Sequence, residues 1–167
     1  IKRNIYLKEG YRTLFFREDE IHNKSQIVKS IIFNACKMSN KIYARKCDFK
    51  IVNKALAKIF FETNHLMGKG SGQVFGLYYN NELVCALQIK RLKNNDYDIS
   101  RFACKLNHNV IGGFSRLLKR AEKELNISLL RTFIDLRYGN GYYLTKFGFT
   151  KKKTYLSFKW IYGLKTY

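Results

Sequence analysis

The chain has 167 residues, 46% of them hydrophobic and 16% aromatic, which supplies a packed core and excludes wholesale disorder. Its 32 Lys and Arg against 12 Asp and Glu leave a net charge of +20. That is well beyond the magnitude of about 2–8 that serves solubility, and it implies a polyanionic partner, nucleic acid ahead of an anionic membrane. No apolar run approaches the ~18 residues of a membrane span. No basic-then-apolar leader opens the sequence, so secretion is not indicated and a cytoplasmic protein is expected. Opening on Ile1 rather than methionine, the sequence reads as a piece of something longer.

In chain order, "YRTLFF" (residues 11–16) is short, aromatic and β-branched, the composition of a buried strand. "REDE" breaks it. "SQIVKSIIFNACKM" then sets Ile27, Val28, Ile31, Ile32 and Ala35 at helical spacing, with Asn23 and Gln26 resembling a capping box before it. "KIYARKCDFKIV" looks extended, with basic residues interleaved. "NKALAKIFFETNH" reads as a helix with Ala55, Ile59 and Phe60 on one side. "MGKGSGQ" is a glycine-rich loop.

Two β-rich runs flank Asn80-Asn81, a tight-hairpin signal because Asn tolerates positive φ. "YDISRFAC" alternates as a third strand. "SLLRTFID" predicts a buried strand, "NGYYLTKF" a short helix and "KKTYLSFKWIYG" a long final strand. From Ile42 onward the order is β-α-β-β-β-α-β-α-β, after a strand–helix leader, which argues for a mixed α/β domain.

Between the third strand and "SLLRTFID" stands "NHNVIGGFSRLLKRAEKEL". Phe114, Leu117, Leu118, Ala121 and Leu125 form one helix face, and Arg116, Lys119, Arg120 and Lys123 the other. The unpaired N–H groups of a helix start favour phosphate, and Gly112-Gly113 let a ligand approach the backbone. The plainer reading is a tight strand-to-helix turn.

"VIGGFSRLLKRAEKEL" followed by "IDLRYGNGYYLTKFGF" resembles the last part of a GNAT acyltransferase fold, a mixed sheet flanked by helices. The resemblance implies a turn over Val110, Ile111, Gly112, Gly113, Phe114 and Ser115 that would cradle the pyrophosphate of acetyl-CoA. Aligning Gly148-Phe149 with the family's Gly-Phe puts Leu144 where a proton-donating Tyr is expected. Leucine has no proton to give, and Tyr143 is about 100° away around a helix axis. The adjacent glycines also lack the family's spaced pattern.

A wider resemblance runs through "GYRTLFFREDE", "KIYARKC", "ETNHLMG", "FGLYYNNELV", "RFACKLNHNVIGGFSRLL" and "DLRYGNGYYLTKFGF". Their order is similar to that in phage-encoded, free-standing homing endonucleases, which join a very-short-patch-repair-like nuclease domain to a GNAT-like one. This implies that residues 1–39 are the tail of a nuclease domain and residues 40–167 a GNAT-like domain. It further implies duplex DNA as partner, a phage-infected bacterial cell as setting, and Mg²⁺ held by an upstream nuclease domain. His65, Asp135, Arg137 and Asn140 belong to the shared motifs. Arg137 would grip phosphate or guanine, Asp135 would hold its guanidinium, Asn140 would cap a helix, and His65 would position a loop, contact a phosphate or act as a base. In "REDE", Arg17, Glu18, Asp19 and Glu20 offer carboxylates for a hard cation, or more plainly a solvated turn that caps the next helix.

The expected nucleic-acid contacts are Arg45, Lys46, Arg101, Lys105, Arg116, Lys119, Arg120, Arg137, Lys151, Lys152 and Lys153. No catalytic or metal set assembles from the sequence. Cys36, Cys47, Cys85 and Cys104 lack metal spacing, as do His22, His65 and His108, so free buried thiols are expected. The sequence therefore reads first as a DNA-binding GNAT-like domain, then as an acetyl-CoA-dependent N-acyltransferase, then as an RNA-binding accessory subunit.

Overall fold

The computed structural model describes residues 2–93, 95–156, 161–162 and 165–166. In chain order the elements are α1 (Lys2–Lys8), α2 (Glu18–Asn23), α3 (Ser25–Ala35), β1 (Asn40–Tyr43), a 3-10 turn (Ala44–Lys46), β2 (Asp48–Val52) and α4 (Lys54–Asn64). There follow β3 (Gln73–Tyr79), β4 (Glu82–Arg91), β5 (Tyr97–Cys104), β6 (His108–Ile111), α5 (Gly113–Leu125), β7 (Leu130–Thr132), a second 3-10 turn (Tyr142–Phe147), β8 (Ile161–Tyr162) and β9 (Lys165–Thr166). They group into two compact units: Ser25–Phe133, and Ile1–Lys24 together with Ile134–Tyr167.

The unit Ser25–Phe133 is built on a five-stranded sheet in the order β2-β3-β4-β5-β7. Its first four strands are antiparallel, and β7 joins β5 in parallel. Asn80 and Asn81 take φ of 50° and 64°, the conformation a two-residue hairpin between β3 and β4 needs. β4 is buried from Leu83 to Ile89, as befits a central strand covered on both faces.

Successive side chains of β4 point to opposite faces. Ala86 joins Val52, Ala57, Phe60, Phe61, Val74, Leu83 and Ala103 in the core that α4 covers. Cys85 faces the other way, toward α5, whose Leu117, Leu118 and Ala121 are buried. The result is the expected mixed α+β architecture, a mixed sheet flanked by helices.

Several local expectations are corrected. "YRTLFF" forms no strand: Tyr11 is exposed, the Phe15 N–H donates to the Arg137 carbonyl and Phe16 packs on the Tyr138 ring, so the segment is held without a ladder. Asn23 is the last residue of α2 and α3 begins at Ser25, so Asn23 does not stand at a helix start as the expected capping box requires; at the start of α2 the Arg17 N–H donates to the Glu20 carboxylate at 3.0 Å. The buried face of α4 is Ala57, Phe60 and Phe61, while Ile59 is 64% exposed. Asn53 Oδ1 accepts from the Leu56 N–H and caps the start of this helix.

"SLLRTFID" yields only the three-residue β7, and Phe133 is 78% exposed. "NGYYLTKF" forms a 3-10 turn rather than an α-helix, bounded by Gly141 and Gly148 in left-handed conformations. Residues 151–156 are not strand; 157–160 lie outside the described residues, and beyond them the two-residue strands β8 and β9 pair antiparallel. No helix among the described residues is long and apolar enough to cross a membrane.

Candidate functional site

Within the unit Ser25–Phe133, β6 leads straight into α5 through Gly112 and Gly113. The two glycines have different physical reasons. Gly112 sits at φ 77°, in the left-handed region that an L side chain rarely enters, and a Cβ there would make only ordinary contacts, 3.7 Å from Ala44 Cβ and 3.9 Å from Ser115 Oγ. Gly113 is buried, and a Cβ there would lie 3.1 Å from Cys85 Sγ and from Val110. One glycine turns the chain; the other lets the helix start rest on β4.

Gly112 has no side chain with which to cap α5, and Ser115 donates its hydroxyl to the Gly112 carbonyl instead of accepting from the helix. The N-cap thus lends no side chain to the positive end of this 13-residue helix. Val110 is buried, Ile111 exposed, and Phe114 packs edge-on against Phe102 at 5.1 Å.

The strand pairing brings cations to this turn. β1 lies parallel to β6, with Tyr43 opposite Ile111. The chain then tightens into the 3-10 turn, so Arg45 and Lys46 are exposed on a turn rather than on the strand the sequence predicts. Arg45 lies over the Tyr43 ring at 5.3 Å, and Arg116 reaches from the first turn of α5 to donate to the Ala44 carbonyl. Tyr43, Ala44, Arg45, Ile111, Gly112 and Arg116 line a depression of about 520 Å³. Lys119 and Arg120 are exposed farther along α5, Arg120 over Phe49 at 5.6 Å.

Other expected contacts are engaged within the protein. Arg101 donates to the carbonyls of Gly68 and Ser100 at 3.0 and 2.6 Å, which clamps the glycine-rich loop onto the sheet. Lys105 pairs with Glu82 at 2.6 Å. His65 ends α4; its Nδ1 accepts from the Met67 N–H at 3.1 Å and its ring stands edge-on to Phe61. Burial, with the Arg101 charge adding to it, pulls its pKa down to about 4, so near neutrality it is an uncharged loop-positioning residue.

The other unit carries a separate cluster. Arg137 donates to both oxygens of Glu20 at 2.8 and 2.9 Å and to Asp135 at 2.6 Å. Arg17 donates to the same Glu20 at 2.8 Å, and Tyr138 Oη donates to it at 3.0 Å. Burial alone would raise the Glu20 pKa, but the bonds from Arg137, Arg17 and Tyr138 outweigh it and hold the carboxylate below its ordinary range. Burial likewise opposes the charge on Arg137, and the bonds from Asp135 and Glu20 more than offset it.

Asp135 thus holds the Arg137 guanidinium, and Glu20, 117 positions away in sequence, holds it more deeply. In "REDE" Glu18 is exposed, whereas Asp19 and Glu20 are buried in the first turn of α2 and bound to arginines. Asn140 Oδ1 accepts from the Tyr142 N–H at 3.0 Å, capping the 3-10 turn. Leu144 is buried, Tyr143 is half-exposed, and Lys151, Lys152 and Lys153 are exposed on irregular backbone. Among the described residues no group of three metal-ligating side chains comes together.

No family model and no curated sequence matches the chain. Two crystal structures of an aminoglycoside acetyltransferase, meta-AAC0020 from an uncultured soil metagenomic sample, one with sisomicin and one with trehalose, align at 13% identity and a TM-score of 0.41. Each alignment covers 88% of this chain and 93% of that one. A likeness of that degree bears on neither substrate nor chemistry.

Proposed function

We propose that this chain is a duplex-DNA-binding domain of the homing-endonuclease type, and that it grips the phosphate backbone at the turn into α5. One observation carries the reading: Arg45 and Arg116 converge on an uncapped helix start in a chain of net charge +20. Arg116 is fixed by a backbone carbonyl and Arg45 by an aromatic ring, so neither is neutralised by its partner. Both are presented to an outside anion, and Lys46, Lys119 and Arg120 extend the same charge. Such contacts position a duplex without reading its sequence. We assign binding to these residues and no cleavage step.

The test is a titration of labelled duplex DNA at rising salt. Each phosphate neutralised lowers log K by about 0.9 per tenfold rise in salt. A steep slope that flattens when Arg45 and Lys46 are replaced by Ala supports the reading; absent or salt-insensitive binding contradicts it. Single-stranded RNA that outcompetes the duplex would move the partner to RNA.

The same depression favours a second reading, coenzyme A binding, because two guanidinium groups at a helix start also suit a pyrophosphate. Calorimetry with coenzyme A distinguishes the two. The packing of Gly113 against Cys85 and the buried Leu144 make the glycine and the aliphatic side chain intelligible without a thioester.

A further inference from the structure

Cys85 and Cys104 stand directly opposite each other on β4 and β5. The Lys105 N–H donates to the Val84 carbonyl at 2.9 Å, so the ladder bond flanks the pair rather than joining it. In such a non-hydrogen-bonded antiparallel pair the Cα atoms are about 4.5 Å apart and the side chains are at their closest. That spacing lies inside the range of about 4.4–6.8 Å that disulfides span. The two Sγ atoms are already 3.6 Å apart.

Access differs between the two. Cys85 is fully buried, whereas Cys104 is partly exposed. Cys85 Sγ also forms the floor beneath Gly113, at 3.1 Å from where a Cβ of that residue would be. The other thiols are placed differently: Cys47 Sγ is turned to the Tyr43 carbonyl at 3.6 Å, and Cys36 is exposed.

We propose that Cys85 and Cys104 form a cross-strand thiol–disulfide site that peroxides oxidise. Cys104, the less buried of the two residues, attacks the peroxide O–O bond, becomes a sulfenic acid and releases one water. Cys85 Sγ then attacks Cys104 Sγ and forms the S–S bond; the sulfenic oxygen departs with the Cys85 proton as a second water. Two thiols lose two electrons in all, and hydrogen peroxide gains them. A dithiol reductant reverses the bond. The site does not depend on what the domain binds.

The full chain carrying Cys36→Ser, which removes the exposed thiol, is treated with hydrogen peroxide, quenched in acid, alkylated in denaturant and digested without reductant. The expected product has one alkylated cysteine, Cys47, and a peptide linking Cys85 to Cys104 that disappears on reduction. Adding Cys104→Ala should leave Cys85 fully alkylatable after the same treatment. Alkylation of all three thiols in the parent, a linkage through Cys47, or Cys104 stopping at sulfinic acid with no linked peptide would each overturn the proposal.

Discussion

Arg116 and Arg137 are both arginines just inside a turn, yet their surroundings make them opposite kinds of residue. Arg137 donates to two carboxylates, one of them buried, and its charge is spent within the fold. Arg116 donates to a neutral carbonyl, beside Arg45 over an aromatic ring, and that charge stays available. The partner, not the residue type, decides which cation is structural and which can meet an anion. A count of +20 therefore overstates the charge that reaches a partner.

Removing the carboxylate side of the Glu20 cluster should have the largest effect. Glu20→Ala removes the bonds that Arg17, Arg137 and Tyr138 make to a buried carboxylate, each worth about 1.5–3 kcal/mol, while Asp19 and Asp135 still hold the two guanidinium groups. Chemical denaturation should show that loss, with Glu20→Gln intermediate because its amide still accepts one bond. A loss below about 1 kcal/mol would put the cluster on a par with exposed ion pairs.

Next come the glycines of the α5 turn. Gly113→Val pushes methyl groups into Cys85 and Val110 and should cost about 1–3 kcal/mol by overpacking. Gly112→Ala makes only ordinary contacts with Ala44 and Ser115 but must hold φ 77°, at about 1–2 kcal/mol. Unfolding midpoints that rank Gly112→Ala as the costlier change would contradict the packing role given to Gly113.

The smallest effect is at His65. Its folded pKa of about 4 lies below the ordinary 6.5, so the unfolded chain takes up the proton first. The stability it contributes is full above about pH 6.5 and drains away as the pH falls toward 4. Glu20, also held below its ordinary value, adds a loss at lower pH, as the carboxylate is protonated. His65→Gln should flatten the upper limb of the stability–pH curve and leave the lower one. A curve unchanged between pH 6.5 and 4 would mean the imidazole is solvated.

The sequence was most legible where spacing alone fixes geometry. The Asn80-Asn81 hairpin, the α5 faces and the Asn140 cap all rest on interactions within a few residues. It misled where contacts with a distant segment replaced a ladder, as at Phe15 and Phe16, and where packing on the sheet chose the buried face of α4, Ala57, Phe60 and Phe61. In the site, Gly112, Arg45 and Arg116 were nameable from their residue types. Tyr43 was not, because its contribution is a ring beneath a guanidinium that only the 3-10 turn brings there. The Glu20 bond to Arg137 spans 117 positions, and no local pattern announces it.

The division between spent and available cations is tested most directly by the salt dependence of duplex-DNA binding in two variants that remove the same charge. One carries Arg45→Ala and Lys46→Ala; the other carries Lys105→Ala and Arg131→Ala, cations paired with Glu82 and Asp96. The first should flatten the plot of log K against log salt by about 0.9 for each phosphate it no longer neutralises, and the second should leave the slope nearly unchanged. Equal flattening in both, or a slope untouched by the first, would contradict a phosphate grip at the α5 turn.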